Sequence, residues 1–214
     1  MLKLGLRVLL LIGASWLFGS IAADVSRGDP PSALDASITQ WFHVRATPWA
    51  TRGMLLFTNL HSTAGISLFA VLLALYLLWK KEGHWILTLS VVLPVGMLIN
   101  VLLKQTFLRD RPSFTDPILT LASYSFPSGH VAGATLFYGV FAAVLCSRLH
   151  AWQWRVAIVL TACVMVVLVG ITRLYLGVHY FSDVVAAAVW SSAWLALCLT
   201  GMAALKLRRR VRGA

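Results

Sequence analysis

Lys104, Arg111 and Arg173 are three cations suited to gripping one small anion. Guanidinium forks match phosphate oxygens bidentately, and a lysine ammonium adds a point charge. Ser128 and Gly129 stand where a long apolar stretch begins. The free backbone N–H groups and positive dipole end of a new helix would face the same anion there. Gly129 would let that anion approach the backbone closely. His179 and Asp183 are four residues apart, which on a helix puts them on one face. Asp183 can then hold one ring nitrogen of His179 and leave the other as a directed nucleophile. His130 has no carboxylate at helical spacing and sits beside cations, free to protonate a departing alkoxide. Cations around such a cradle stabilise the equatorial oxygens during in-line phosphoryl transfer.

Taken singly, each feature has a plain structural reading. Lys104 and Arg111 serve equally as interfacial anchors, Pro127-Ser128-Gly129 as a turn with Ser128 capping a helix, and His179 as a satisfied interfacial histidine. Their convergence on one side of one bundle is what favours chemistry, because charges at such depth are costly. A metal is the rival explanation, with His130, His179 and Asp183 as ligands and Asp110 or Asp116 in support. Two-metal phosphatases need more carboxylates than this, and the surrounding cations make a divalent metal redundant. The expectation is therefore no metal and no cofactor.

The elements that must position these residues are membrane helices. Of the 214 residues, 59% are apolar and only 12% charged, with 18 Lys+Arg against 7 Asp+Glu and a net charge of +11. That leaves too little polar surface for a soluble globule and too much hydrophobicity for a disordered chain. A helix crosses a bilayer with ~20 mostly apolar residues. Six stretches qualify, at about 4–23, 64–79, 85–103, 131–147, 156–171 and 184–205, and the fold class expected is all-α with six transmembrane helices. Pro94 is expected to kink the third. No stretch alternates in polarity, which argues against a β-barrel. Cys146, Cys163 and Cys198 fall within the spans and read as small packing residues.

With the N-terminus cytoplasmic, eleven of the 18 Lys and Arg lie on the inner side, including Lys80, Lys81, Arg148 and the tail after Leu205. Positive-inside bias thus explains much of the charge. The basic residues form no stripe, so a nucleic-acid partner is not expected. Residues 1–23 read as a retained helix rather than a cleaved signal; Ser20-Ile21-Ala22 is the competing small-residue exit. The one long segment outside the spans, 24–63, opens at Pro30-Pro31. It carries Leu34, Ile38, Trp41 and Phe42 at helical spacing, as in a short outer interfacial helix. Pro48 should end or redirect that helix, with a turn or two more through Met54 and Phe57. The chain reads as one membrane-embedded domain, residues 1–214, with its site-bearing region at 104–183.

At the site residues the sequence resembles the type 2 phosphatidic acid phosphatase superfamily. Lys104 through Arg111-Pro112 match the motif of a lysine, six residues and Arg-Pro. Pro127-Ser128-Gly129-His130 match the second motif, and Arg173, His179 and Asp183 the third, with Thr172 in place of the usual serine. The segment from Asp35-Ala36 to Asn59-Leu60 resembles the family's pre-core region. The resemblance implies a phosphohistidine on His179 activated by Asp183. It implies His130 as general acid and then as the base for water, and Lys104, Arg111, Ser128, Gly129 and Arg173 as phosphate ligands. Arg109 and Asp110 fall in the variable part of the first motif and receive no role.

Small bacterial membrane phosphatases of this family fit best, similar to those acting on phosphatidylglycerophosphate or undecaprenyl pyrophosphate. The expectation is a lipid phosphatase in the plasma (inner) membrane with both termini cytoplasmic and its site facing the periplasm or cell exterior. Its partners would be a lipid substrate and the bilayer, with no obligate protein partner. Phosphotransfer to another acceptor, lipid A phosphatase activity and phosphatidic acid as substrate stay open. An anion transporter is the reading from a different class; it predicts repeated halves, and the sequence has no visible repeat.

Overall fold

The computed structural model describes residues 2–212, with side chains described from 12 to 205. Eight helices follow one another: α1 (Leu2–Ser26), α2 (Ala33–His43), α3 (Pro48–Leu60), α4 (Thr63–Trp79), α5 (Gly83–Phe107), α6 (Gly129–Cys146), α7 (Trp152–Tyr175) and α8 (Phe181–Arg212). No strand occurs among the described residues. The all-α expectation holds.

The six-span expectation is met in part. Within the described residues, α5, α6, α7 and the Phe181–Leu205 part of α8 are each long and apolar enough to cross a membrane. The 17 residues of α4 pass only together with α3, from which they bend by 48°, giving up to five spans. A turn at His61-Ser62 separates the two helices, and Ser62 Oγ accepts from Gly65 N at 3.2 Å to cap α4. The expected first span, 4–23, forms part of α1, but the side chains of its first half lie outside the described residues. So do those of the basic tail from 206 onward.

The outer segment is redirected at Pro48 as expected, but the helix that follows is longer than a turn or two. Proline fits the first turn of a helix, where its missing N–H costs nothing. Accordingly Pro48 opens the 13-residue α3, which carries the chain on through Met54 and Phe57. Helix α2 is capped by Ser32, whose Oγ accepts from Asp35 N at 3.0 Å. Helix α5 runs unbroken through Pro94.

The core is built around α6. On one side Leu73, Leu77, Val92, Leu136, Val140 and Val144 join α4, α5 and α6. On the other Val131, Ala134, Val169, Ala187 and Trp190 join α6 to α7 and α8. Between apolar helices in lipid, association rests on close packing rather than on the hydrophobic effect, so small residues sit at the crossings. A Cβ on Gly96 would come 2.5 Å from Leu136 Cδ1, and one on Gly139 would come 2.1 Å from Leu195 Cδ2. The outward faces of α4 and α7 carry exposed Leu68, Leu72, Leu75, Val159, Leu160 and Val167, as lipid-facing surfaces should.

Chain direction then does the positioning. The end of α5, the start of α6, the end of α7 and the start of α8 meet at one end of the bundle. They bring Lys104, Ser128, Arg173 and Asp183 together from across the sequence.

Candidate active site

Helix α8 begins at Phe181, so His179 precedes it and does not lie on its face as the four-residue spacing implied. The pair still meets, by a different device. Asp183, in the first turn, reaches back so that Oδ2 accepts from Tyr180 N at 2.9 Å, the carboxylate half of a capping box. The same Oδ2 lies 3.3 Å from His179 Nδ1. Ser125 Oγ donates to it as well and stands 3.5 Å from the same ring nitrogen. His179 and Asp183 are both buried.

The other ring nitrogen, Nε2, is 3.3 Å from Arg111 Nη1. A guanidinium has only donors, so this contact and the carboxylate at Nδ1 together fix one tautomer: Nδ1 carries the hydrogen and Nε2 the lone pair. Burial holds the His179 pKa below its ordinary value of 6.5, outweighing the upward pull of Asp183. The ring is therefore neutral, with a lone pair aimed among cations, which is the state a nucleophile needs.

The three cations differ in how they are held. Lys104 Nζ donates to the carbonyls of Tyr124 (2.6 Å) and Ser125 (3.1 Å). Arg111 is tied to the same strip, Nε to Ser123 O at 2.6 Å and Nη2 to Ser123 Oγ and Tyr124 O, while Nη1 also donates to Val178 O. Burial lowers its pKa, opposed by the nearby Asp183 charge, and a guanidinium stays cationic regardless. Arg173 is different. It is 1% exposed, donates from Nη1 to Thr58 Oγ1 at 2.7 Å, and leaves Nε and Nη2 buried without a partner.

Ser128 occupies the N-cap position of α6 without making the cap bond, and its Oγ is buried and unpartnered. The capping role open to it in the sequence is thus not the one it plays. The bare face of Gly129 turns toward Asn100 Nδ2 and Lys104 Cε, 3.4 and 4.0 Å from where a Cβ would stand. His130 follows, within electrostatic reach of Arg173, His179, His61 and Arg111. It lines a cavity of about 40 Å³ with His61, Ser62, Thr63 and Gly129. All eight sequence-derived site residues are thus brought to one place.

Four further residues belong to the arrangement and were given no role from sequence. Arg109 Nη1 donates to Asp183 Oδ1 at 2.6 Å, and its Nη2 donates to Asp35 Oδ2 at 3.0 Å. Ser125 and Thr58 hold Asp183 and Arg173. Scarcity was the available signal for the carboxylate: the chain has 7 acidic residues, and Asp35 is the one set on the apolar-patterned outer helix. Among the described residues no three His, Cys, Asp or Glu side chains group as a metal site. Asp183 is instead engaged by Arg109, the Ser125 hydroxyl and the Tyr180 amide.

The chain is similar to known proteins in sequence and fold. The family model described as the PAP2 superfamily matches residues 83–206. Phosphatidylglycerophosphatase B of Bacillus subtilis is 30% identical over 170 residues, 79% of this chain and 83% of that protein. An undecaprenyl-diphosphatase of Sulfolobus acidocaldarius is 29% identical over 127 residues, 57% of each chain. The crystal structure of a transmembrane PAP2-type phosphatidylglycerolphosphate phosphatase from Bacillus subtilis superposes with a TM-score of 0.79 at 26% identity. It covers 89% of this chain and 94% of its own.

Proposed function

The chain belongs to the PAP2 superfamily, a multi-pass membrane protein, and on that premise we propose that it releases phosphate from a lipid phosphate or pyrophosphate monoester through a phosphohistidine on His179. One observation carries this reading. A buried guanidinium with two unpartnered nitrogens acts electrostatically on a neutral imidazole whose lone pair meets Arg111, and an unpartnered serine hydroxyl stands at the start of α6. Buried polar groups without partners are rare and costly. A phosphate group satisfies all of them at once.

In the proposed reaction Arg173, Arg111, Lys104, Ser128 Oγ and the Gly129 amide hold the phosphoryl oxygens. His179 Nε2 attacks phosphorus in line. The bond from phosphorus to the lipid oxygen breaks, and His130 gives that oxygen its proton. The ring becomes cationic as the N–P bond forms, and Asp183 stabilises it through Nδ1–H. Water then attacks the phosphohistidine, His130 takes its proton, inorganic phosphate leaves, and His179 returns neutral. With a pyrophosphate, the leaving group is the lipid monophosphate.

Hydrolysis is favoured over transfer to an acceptor by the cavity against His130, which has room for water and polar walls from His61, Ser62 and Thr63. We assign the lipid tail to an apolar groove of about 520 Å³ between α4 and α6, lined by Phe69, Leu72, Phe137 and Phe141 and reaching Tyr76 and Arg148 toward the far end of the bundle. Tyr138 borders this groove and stands 2.8 Å from His61 Nε2, a wall of the His130 cavity. The site end lies opposite Lys80, Lys81, Arg148 and Arg155. Positive-inside bias therefore orients the site to the periplasm or cell exterior of the inner membrane, with cytoplasmic termini. Residues 1–214 act as one phosphatase domain.

The test is a panel of lipid phosphates given to purified protein in detergent: phosphatidylglycerophosphate, undecaprenyl pyrophosphate, phosphatidic acid and a lipid A phosphate. Phosphate release that survives EDTA and vanishes in His179→Ala is expected. Full release by His179→Ala overturns the covalent route, a labelled acceptor lipid in place of free phosphate overturns hydrolysis, and EDTA loss restored by a metal overturns metal independence.

A further inference from the structure

Arg109 stands in the stretch that separates Lys104 from Arg111, yet its guanidinium turns away from the phosphate cradle. Nη1 donates to Asp183 Oδ1 at 2.6 Å and to Ser182 Oγ at 2.8 Å. Nη2 donates to Asp35 Oδ2 at 3.0 Å, and the guanidinium carbon lies 4.4 Å from the centre of the Tyr180 ring. Asp35, 2% exposed and carried by α2, uses Oδ1 to accept from Ser182 N at 2.8 Å, and Ser182 Oγ donates to Oδ2. Two buried carboxylates, one guanidinium and the first turn of α8 form a single closed network.

The oxygens of Asp183 are divided between tasks. Oδ2 serves His179, Ser125 and the Tyr180 amide, while Oδ1 is taken by Arg109. A carboxylate bound at one oxygen can swing about its last torsion; one bound at both is fixed. The charge balance matters too. Arg109 alone would neutralise Asp183 just where a cationic ring needs a negative neighbour. Asp35 offsets Arg109, so Asp183 keeps its negative charge while held in place.

We propose that Arg109, braced by Asp35, is a positioning residue that locks the Asp183 carboxylate against His179, so that the outer helix α2 helps set the geometry of the catalytic pair. This rests on the phosphohistidine reading above. Two carboxylates at its nitrogens make Arg109 a poor phosphate ligand, which separates the proposal from a binding role.

The experiment measures kcat, KM and product inhibition by inorganic phosphate for R109Q, R109K and D35N in detergent, beside wild type and His179→Ala. Misplacement of a reacting group by about 1 Å costs about a hundredfold in rate. A kcat loss of that order is expected in R109Q, with the phosphate inhibition constant unchanged within about twofold. R109K should recover part of kcat, because one ammonium reaches one carboxylate. Should R109Q not yield a monodisperse protein, D35N carries the same expectation: lower kcat with phosphate affinity intact. Wild-type kcat in both R109Q and D35N overturns the proposal. So does a phosphate inhibition constant that rises in step with KM, which would make Arg109 a phosphate ligand. Full activity in His179→Ala overturns the underlying reading instead, whatever the Arg109 variants do.

Discussion

Thr58 Oγ1 accepts a hydrogen bond from Arg173 Nη1 at 2.7 Å, and this contact between α3 and α7 orients a guanidinium whose remaining buried nitrogens face no protein acceptor. Thr58 is itself buried. The outer segment, which the sequence marks as a short interfacial helix, therefore also supports Arg173. Holding a partly unsatisfied cation in place costs stability, which an anion bound there would restore.

Arg173→Met should therefore stabilise the empty protein while abolishing phosphate release. An unsatisfied buried polar group costs about 1–3 kcal/mol, and more for a charge. Thermal unfolding in detergent should show a higher Tm for the variant. Inorganic phosphate should raise the wild-type Tm by binding the native state and leave the variant's unmoved. A lower Tm for Arg173→Met would mean that the guanidinium is satisfied in the native protein.

The buried His179 ring makes stability depend on pH with a definite sign. Its native pKa lies below the unfolded value of 6.5, so below pH 6.5 the unfolded chain binds a proton that the native state resists. Stability falls as pH drops from 6.5, by up to about 1.4 kcal/mol per pH unit for one group. His179→Gln should flatten that decline. Unfolding midpoints in denaturant across pH 4.5–7.5 measure it; parallel curves for wild type and variant would contradict a neutral buried ring.

Gly65 fixes the bend between α3 and α4. A Cβ there would stand 2.0 Å from the backbone oxygen of Leu60, which no rotamer change relieves. Gly65→Ala should open the 48° bend and shift Thr58 and His61. Strain of this kind costs about 1–3 kcal/mol. The variant should lose Tm and bind phosphate less tightly. A variant with wild-type Tm and phosphate affinity would show the bend to be unimportant.

The sequence carries the membrane character and the helix ends that meet, because both follow from residue type and spacing. It also carries Lys104, Arg111, Ser128, Gly129, His130, Arg173, His179 and Asp183, whose order and separations are read directly. It misplaces His179 on a helix because spacing reports registry and not where a helix starts; the capping contact of Asp183 supplies the missing geometry. The redirection at Pro48 is legible but the length of α3 is not, because a proline at a first helical position marks where a helix starts and not how far it runs. The roles of Arg109, Asp35, Ser125 and Thr58 are invisible for a different reason. Each acts through a partner far along the chain, as Arg109 does with Asp35 and Asp183, and no local pattern records such a meeting. The span count is ambiguous because α4 is short and reaches full span length only when joined across a bend to α3.

Rapid quenching would trap covalent transfer of phosphate to His179. Purified protein is mixed with radiolabelled phosphatidylglycerophosphate, stopped in alkali within the first turnover, and digested for mass spectrometry. One phosphoryl group on His179 is expected, stable to alkali and lost in acid, formed in a burst before steady release and absent from His179→Ala. Turnover with no label on His179 at any quench time would contradict it.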